Sequence, residues 1–119
     1  MAGITEAIAT AIFCATIGGA EEIRHNYDLG YIRTDCETTH FVIEAGLDKR
    51  SSLDSIQQAV FAGTLTNKIP MVVIYDTDGK EGKNEYRIRE ACRALGIKYT
   101  TYTITPWDIL DHAETTQNK

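Results

Sequence analysis

The run Met71–Tyr75 (MVVIY), introduced by Pro70, is the most hydrophobic strand-like stretch of the chain, and it lies between two segments with helical spacing. Upstream, Leu53, Ile56, Val60 and Phe61 mark a helix ending near Gly63 to Asn67. Downstream, Ile88, Ala91, Cys92 and Leu95 mark another, and Gly96 is well placed as its C-cap. Residues 97–103 (IKYTTYT) then read as a further strand. A strand, a helix and another strand in succession require a crossover connection, and crossovers make their strands parallel. The second half of the chain is therefore predicted to be α/β.

The first half reads differently. Ile4, Ala7, Ile8, Ala11, Ile12 and Ala15 follow the i, i+3, i+4, i+7 pattern, which predicts a helix over Thr5 to Thr16, stopped by Gly18–Gly19. Three short β-type runs follow, at residues 21–27, 31–36 and 39–45. Asp28 and Gly30 supply the first turn, and Glu37–Thr38 reads as a tight reversal. Phe41, Val42 and Ile43 are consecutive, so the third strand is expected to be buried on both faces, and Gly46 is expected to end it. Ser51 and Asp54 resemble a capping pair for the next helix. Asp76 to Gly82 reads as a polar loop, Thr105–Pro106 as a helix start, and the polar tail after His112 as frayed. The order is α-βββ-α-β-α-β-α. It predicts one domain over residues 1–119, a mixed sheet with helices on both faces.

No stretch of about 18 apolar residues occurs, so no membrane span is expected. Glu6 interrupts the apolar N-terminus and no Lys or Arg precedes it, which argues against a signal peptide. Cys14, Cys36 and Cys92 are far apart, odd in number and without metal-type spacing. They read as small buried hydrophobes in a reducing compartment, and the expected location is cytoplasmic. The net charge is −5, whereas binding to phosphate is normally driven by Lys and Arg. The only basic clusters are Lys49–Arg50 and the series Lys80, Lys83, Arg87, Arg89, Arg93, and the latter also fits a solvated helix face.

Asp35 ends the second predicted strand and Glu44 lies nine positions later near the end of the third, within D-C-E-T-T-H-F-V-I-E. An Asp on one strand, a tight turn, and an apolar run ending in an acidic residue resemble the signature of the PD-(D/E)XK nucleases. The element order resembles the restriction-endonuclease-like core of that family, a three-layer α-β-α fold. The resemblance spans roughly residues 4–103. It implies a DNA endonuclease in which Asp35, Glu44 and the Ala45 carbonyl hold Mg²⁺ or Mn²⁺. Oxygen donors suit such hard cations, and the metal supplies an activated water and charge screening. It further implies that a glutamate from the first helix or first strand, Glu6 or Glu21, completes the site. Gln57 and Gln58 on the next helix also match small, divergent members. Cutting two strands with so small a domain implies a homodimer or a partner subunit.

Gly46 stands where the family has its lysine. Lys49 or Arg50 can replace it from the start of the second helix, or the activity is lost and the domain serves binding or assembly. His40 fits a structural strand residue better than a base. The segment Tyr75-Asp76-Thr77-Asp78-Gly79 also resembles the Asp-x-Asp of Toprim domains, with Glu44 as their strand-end glutamate. That reading needs an additional strand between Glu44 and Asp76, but residues 53–67 carry helical spacing throughout and leave little room for it. Haloacid-dehalogenase-like phosphatases share the Asp-x-Asp, but place it near the chain start and need later motifs that do not follow.

Overall fold

The computed structural model describes residues 4–49 and 53–117. Arg50 and the predicted cap Ser51 lie outside the described residues. Helix α1 covers Ile4–Thr16, followed by strands β1 (Ala20–Tyr27), β2 (Gly30–Glu37) and β3 (Phe41–Leu47). Then come α2 (Leu53–Thr66), β4 (Ile69–Asp76), α3 (Lys83–Leu95), β5 (Lys98–Thr103) and α4 (Pro106–Gln117). The five strands lie side by side in sequence order. β2 runs antiparallel to β1 and β3, whereas β3, β4 and β5 are mutually parallel. The fold is thus α/β with a mixed sheet.

Alternation along the central strands splits the core into two layers. Ile43, Val73 and Tyr75 face α1 and α4, against Ala9, Phe13 and Ile109. Val72 and Ile74 face the other way, against Ile56 and Ala59 of α2 and Ile88 and Cys92 of α3. Both β3 and β4 therefore bury both faces, which explains their unbroken apolar runs. The Tyr75 hydroxyl donates to Thr10 Oγ1 on α1 at 2.8 Å, so its one polar atom is satisfied inside the core.

Three expectations change. Gly46 does not end β3. It pairs with Ile74, and β3 continues to Leu47 opposite Tyr75, because the parallel ladder with β4 carries the strand past the glycine. The polar residues after His112 remain helical to Gln117. Thr105 and Asp108 cap that helix reciprocally, at 2.9 Å and 3.2 Å, and no Gly or Pro follows Pro106 to stop it.

The third change concerns the cysteines. Cys14 and Cys36 form a disulfide, with Cα atoms 5.8 Å apart, and only Cys92 is a free buried thiol. Residues 22 positions apart meet because α1 packs across β2, which spacing alone cannot reveal. Disulfides belong mainly to oxidising compartments, so the cysteines do not support a cytosolic setting. No helix among the described residues is long and apolar enough to cross a membrane.

At the far end of β2, Glu37 is buried in a polar knot. Thr34 Oγ1 donates to it at 2.6 Å and Lys68 Nζ at 3.0 Å, and the His25 ring contacts the same carboxylate. Burial pushes its carboxyl up, but the bonds from Thr34, His25 and Lys68 outweigh this and hold it below the usual value. A depressed carboxyl stabilises the fold above its unfolded value near 4.5, and the contribution is lost as pH falls through the folded value. Glu37→Gln is expected to cost about 1.5–3 kcal/mol at pH 7, the worth of a charge-assisted bond. The cost should shrink on acidification below pH 4. Urea unfolding across that pH range checks it, and an equal loss at pH 3 would refute the electrostatic account.

Candidate functional site

The β1–β2 ladder pairs Glu21 with Cys36 and Ile23 with Thr34, but skips Glu22 and Asp35. Glu22 has a φ of 52°, an uncommon value for a non-glycine residue. On its other side β2 pairs with β3 only at Cys36–Ile43 and Glu37–Val42. Beyond those rungs the side chain of Asp35 substitutes for the ladder, and Asp35 Oδ2 accepts the Ala45 N–H at 2.8 Å. The local break thus turns Asp35 into the gap between β2 and β3, beside Glu44.

Glu44 is only 4% exposed. Burial, then the charge of Asp35, then side-chain hydrogen bonding with Asp35 push its carboxyl up to about 9. It therefore stays protonated at neutral pH. The pair lines a pocket of about 410 Å³. Tyr27 and Arg33 of the β1–β2 hairpin form part of one wall, and Gln57, Gln58 and Phe61 of α2 form another. The Tyr27 and Phe61 rings meet edge to face, with centroids 5.1 Å apart.

The structure brings several predicted residues together here. Asp35, Glu44, Gln57 and Gln58 share the pocket. Asp35 also lines a smaller cavity of about 110 Å³ together with both Glu6 and Glu21. The Ala45 carbonyl already accepts a bond from Ser55 Oγ at 3.2 Å.

Other candidates lie elsewhere. His40 precedes β3 and lines a separate open cavity with Phe13, Met71 and Lys98. Lys49 sits past the end of β3, where Lys49 Nζ pairs with Asp78 at 2.5 Å, and its other electrostatic neighbours are Asp48 and Glu85. The reason is the continuation of β3 through Gly46, which carries Lys49 to the C-terminal end of β4. Arg89 and Arg93 of the basic series pair with Glu81 and Glu90 along α3, as a solvated face would.

A second carboxylate group occupies that C-terminal end. Oxygens of Asp48, Asp76 and Glu85 all lie within 4.8 Å of one another, and the three can hold a metal ion. Asp48 accepts the Thr77 N–H at 2.7 Å and its hydroxyl at 3.0 Å. Asp76 Oδ1 accepts the N–H groups of Asp78 and Gly79. Glu85 accepts the Gly82 N–H at 2.6 Å, yet burial and the charges of Asp48, Asp76 and Asp78 still push its carboxyl up.

Glu44 pairs in register with Val72, four residues before Asp76, a separation of roughly 13 Å along the strands. Asp76 therefore meets Asp48 and Glu85, not Glu44, and α2 fills the interval where a Toprim domain would need a strand.

Sequence reasoning missed Asp48 and Glu85, and it missed Tyr27, Arg33 and Phe61. The i, i+4 spacing of Gln57 and Phe61 signals a shared helix face. Nothing local signals that the β1–β2 hairpin meets that face. Comparison of the chain with protein-family models, curated proteins and solved structures returns no match.

Proposed function

We propose that the chain is a metal-dependent phosphodiesterase acting on DNA, with Asp35 and Glu44 as its metal-binding pair on a restriction-endonuclease-like scaffold. The observation that carries this reading is the buried Glu44 carboxyl in contact with the half-buried Asp35 carboxylate in the lining of an open pocket. Two carboxyl groups placed against each other without a basic partner repel once ionised, and a hard divalent cation relieves that repulsion. All donors in the pair are oxygens, which fits Mg²⁺ or Mn²⁺. When bound, such an ion supplies Lewis-acid stabilisation to phosphate oxygens and a nucleophilic water at neutral pH. The sheet order and the mixed strand directions support the scaffold part of the reading.

The chain's own residues set the rest. Asp35 is fixed by the Ala45 N–H, so one of its oxygens is oriented before any ligand arrives. Glu44 must release its proton to bind a cation, so metal binding is expected to liberate protons and to strengthen as pH rises. The second carboxylate group is less suited to the reacting centre, because loop N–H groups already engage Asp48, Asp76 and Glu85.

With Mg²⁺ or Mn²⁺, wild-type protein is expected to cleave plasmid DNA. Asp35→Asn and Glu44→Ala are each expected to lose about 100-fold or more, some 2.7 kcal/mol of barrier. Robust cleavage by Glu44→Ala would sink the assignment. A single pocket of this kind cuts one strand, so double-strand scission takes a second copy or a partner subunit.

Gly46 and the Lys49–Asp78 pair favour a second reading, in which the same scaffold binds a partner without catalysis. Its marks are no cleavage under any metal condition and no heat of Mg²⁺ binding.

A further inference from the structure

The pocket holds more than a metal-binding pair. Tyr27 and Phe61 are 37% and 38% exposed, and their contacting rings give the wall an accessible aromatic surface. Gln57 and Gln58 are exposed on α2, and neither side chain has a hydrogen-bond partner among the described residues. Each carries an amide donor and acceptor. Arg33 is the one cationic residue in the lining and has no acidic partner among the described residues. The remaining lining is Ile32 and the carboxylate pair.

Aromatic faces, free amides, one guanidinium and oxygen donors for a cation match the parts of one nucleotide. A base stacks on the ring surface and its edge meets the amides, while its phosphate meets Arg33 and the cation. The volume of about 410 Å³ suits a small bound unit and not a continuous groove. Charge points the same way. Tight binding to duplex needs many phosphate contacts, whereas this chain carries a net −5 and, among the described residues, offers one unpaired cation at the pocket. Stacking needs no basic surface, but it does need a base that is out of the helix.

We infer that the pocket takes a single unstacked nucleotide, so that the substrate is single-stranded nucleic acid or a single-stranded segment within a duplex. The inference rests on the proposed function for its cation but not for its base and phosphate contacts, and the test separates the two.

Binding is measured in EDTA, without cleavage, using a short single-stranded oligonucleotide with one 2-aminopurine and the same sequence as duplex. The single strand is expected to bind at least about tenfold more tightly, with quenching of the 2-aminopurine fluorescence as it stacks. Tyr27→Ala and Phe61→Ala should each weaken single-strand binding by about 5- to 150-fold, the range for loss of one stacking platform. Tyr27→Phe should restore it. Arg33→Gln should lower the salt dependence by about one phosphate contact.

Equal affinity for duplex and single strand overturns the inference. So does unchanged binding by both alanine variants with native circular dichroism. If binding follows the expected pattern but no metal supports cleavage, the nuclease reading fails and this one stands. If duplex is cleaved and Tyr27→Ala cleaves it equally well, only this inference fails.

Discussion

Glu44→Gln should make the metal-free protein more stable at pH 8 while abolishing the stabilisation that Mg²⁺ confers through the Asp35–Glu44 pair. In the unfolded chain this carboxyl titrates near 4.5, and in the fold burial and Asp35 hold it at about 9. Between those values the folded state keeps a proton that the unfolded state has lost, so stability falls as pH rises through the window. From pH 4.5 to pH 8 the loss from this one group is on the order of 4 kcal/mol. Glutamine has the same shape and no charge to lose. Near pH 5 the two proteins should unfold alike, and by pH 8 the variant should melt well above the wild type in EDTA. Added Mg²⁺ should narrow the gap by stabilising the wild type more, since a ligand that binds only the native state stabilises it, whereas an ion held by Asp48, Asp76 and Glu85 shifts both proteins alike. Thermal melts at pH 5, 7 and 8, with EDTA or with Mg²⁺, check both halves. A lower melting temperature for the variant at pH 8 would show that Glu44 is ionised and paired in the fold. The combination of a destabilising group and a lost function is what a binding site held at the expense of stability predicts.

Removal of the Cys14–Cys36 bond has the other large expected effect. The bridge closes 22 residues of chain, from α1 to β2, and so restricts the unfolded ensemble by about 3 kcal/mol. It also anchors the strand that carries Asp35, one residue before Cys36. Gly19 packs against it so closely that an added Cβ would lie 2.7 Å from Cys36 Sγ and 2.8 Å from Cys14 Sγ. The glycine that stops α1 is thus also the only residue small enough to pass over the bridge. The Cys14→Ser/Cys36→Ser protein should unfold at a urea midpoint lower by the equivalent of about 3 kcal/mol. Wild type in reducing agent should fall to the same level. Identical midpoints with and without reductant would show that the two thiols are not bonded in solution.

The periodicities of the chain carried the element order, because each element buries a face and that burial imposes a repeat of 3.6 or of 2 on the residues. The runs Phe41–Ile43 and Met71–Tyr75 are continuous because β3 and β4 are covered on both sides. The caps at Gly96 and Thr105 were legible for the same local reason, a φ of 70° at one and reciprocal bonds with Asp108 at the other. Boundaries were less legible where a neighbour decides them. Gly46 looks like a strand end and is held in β3 by its pairing with β4. Lys49 is consequently delivered to Asp78 and not to the pocket.

By itself, then, the sequence determined the succession of helices and strands and the adjacency of Asp35 and Glu44, since eight intervening positions across one tight reversal leave few other registers. Tertiary structure alone decided which groups gather around them. The skipped rung at Glu22 and Asp35 opens the sheet, and packing of the hairpin against α2 sets Tyr27 on Phe61. Parallel register brings Asp48 to Asp76 and Glu85, and helix docking joins Cys14 to Cys36. These are contacts between residues far apart in the chain. No local spacing encodes them, because the free energy that fixes them belongs to the packed core and not to any one segment.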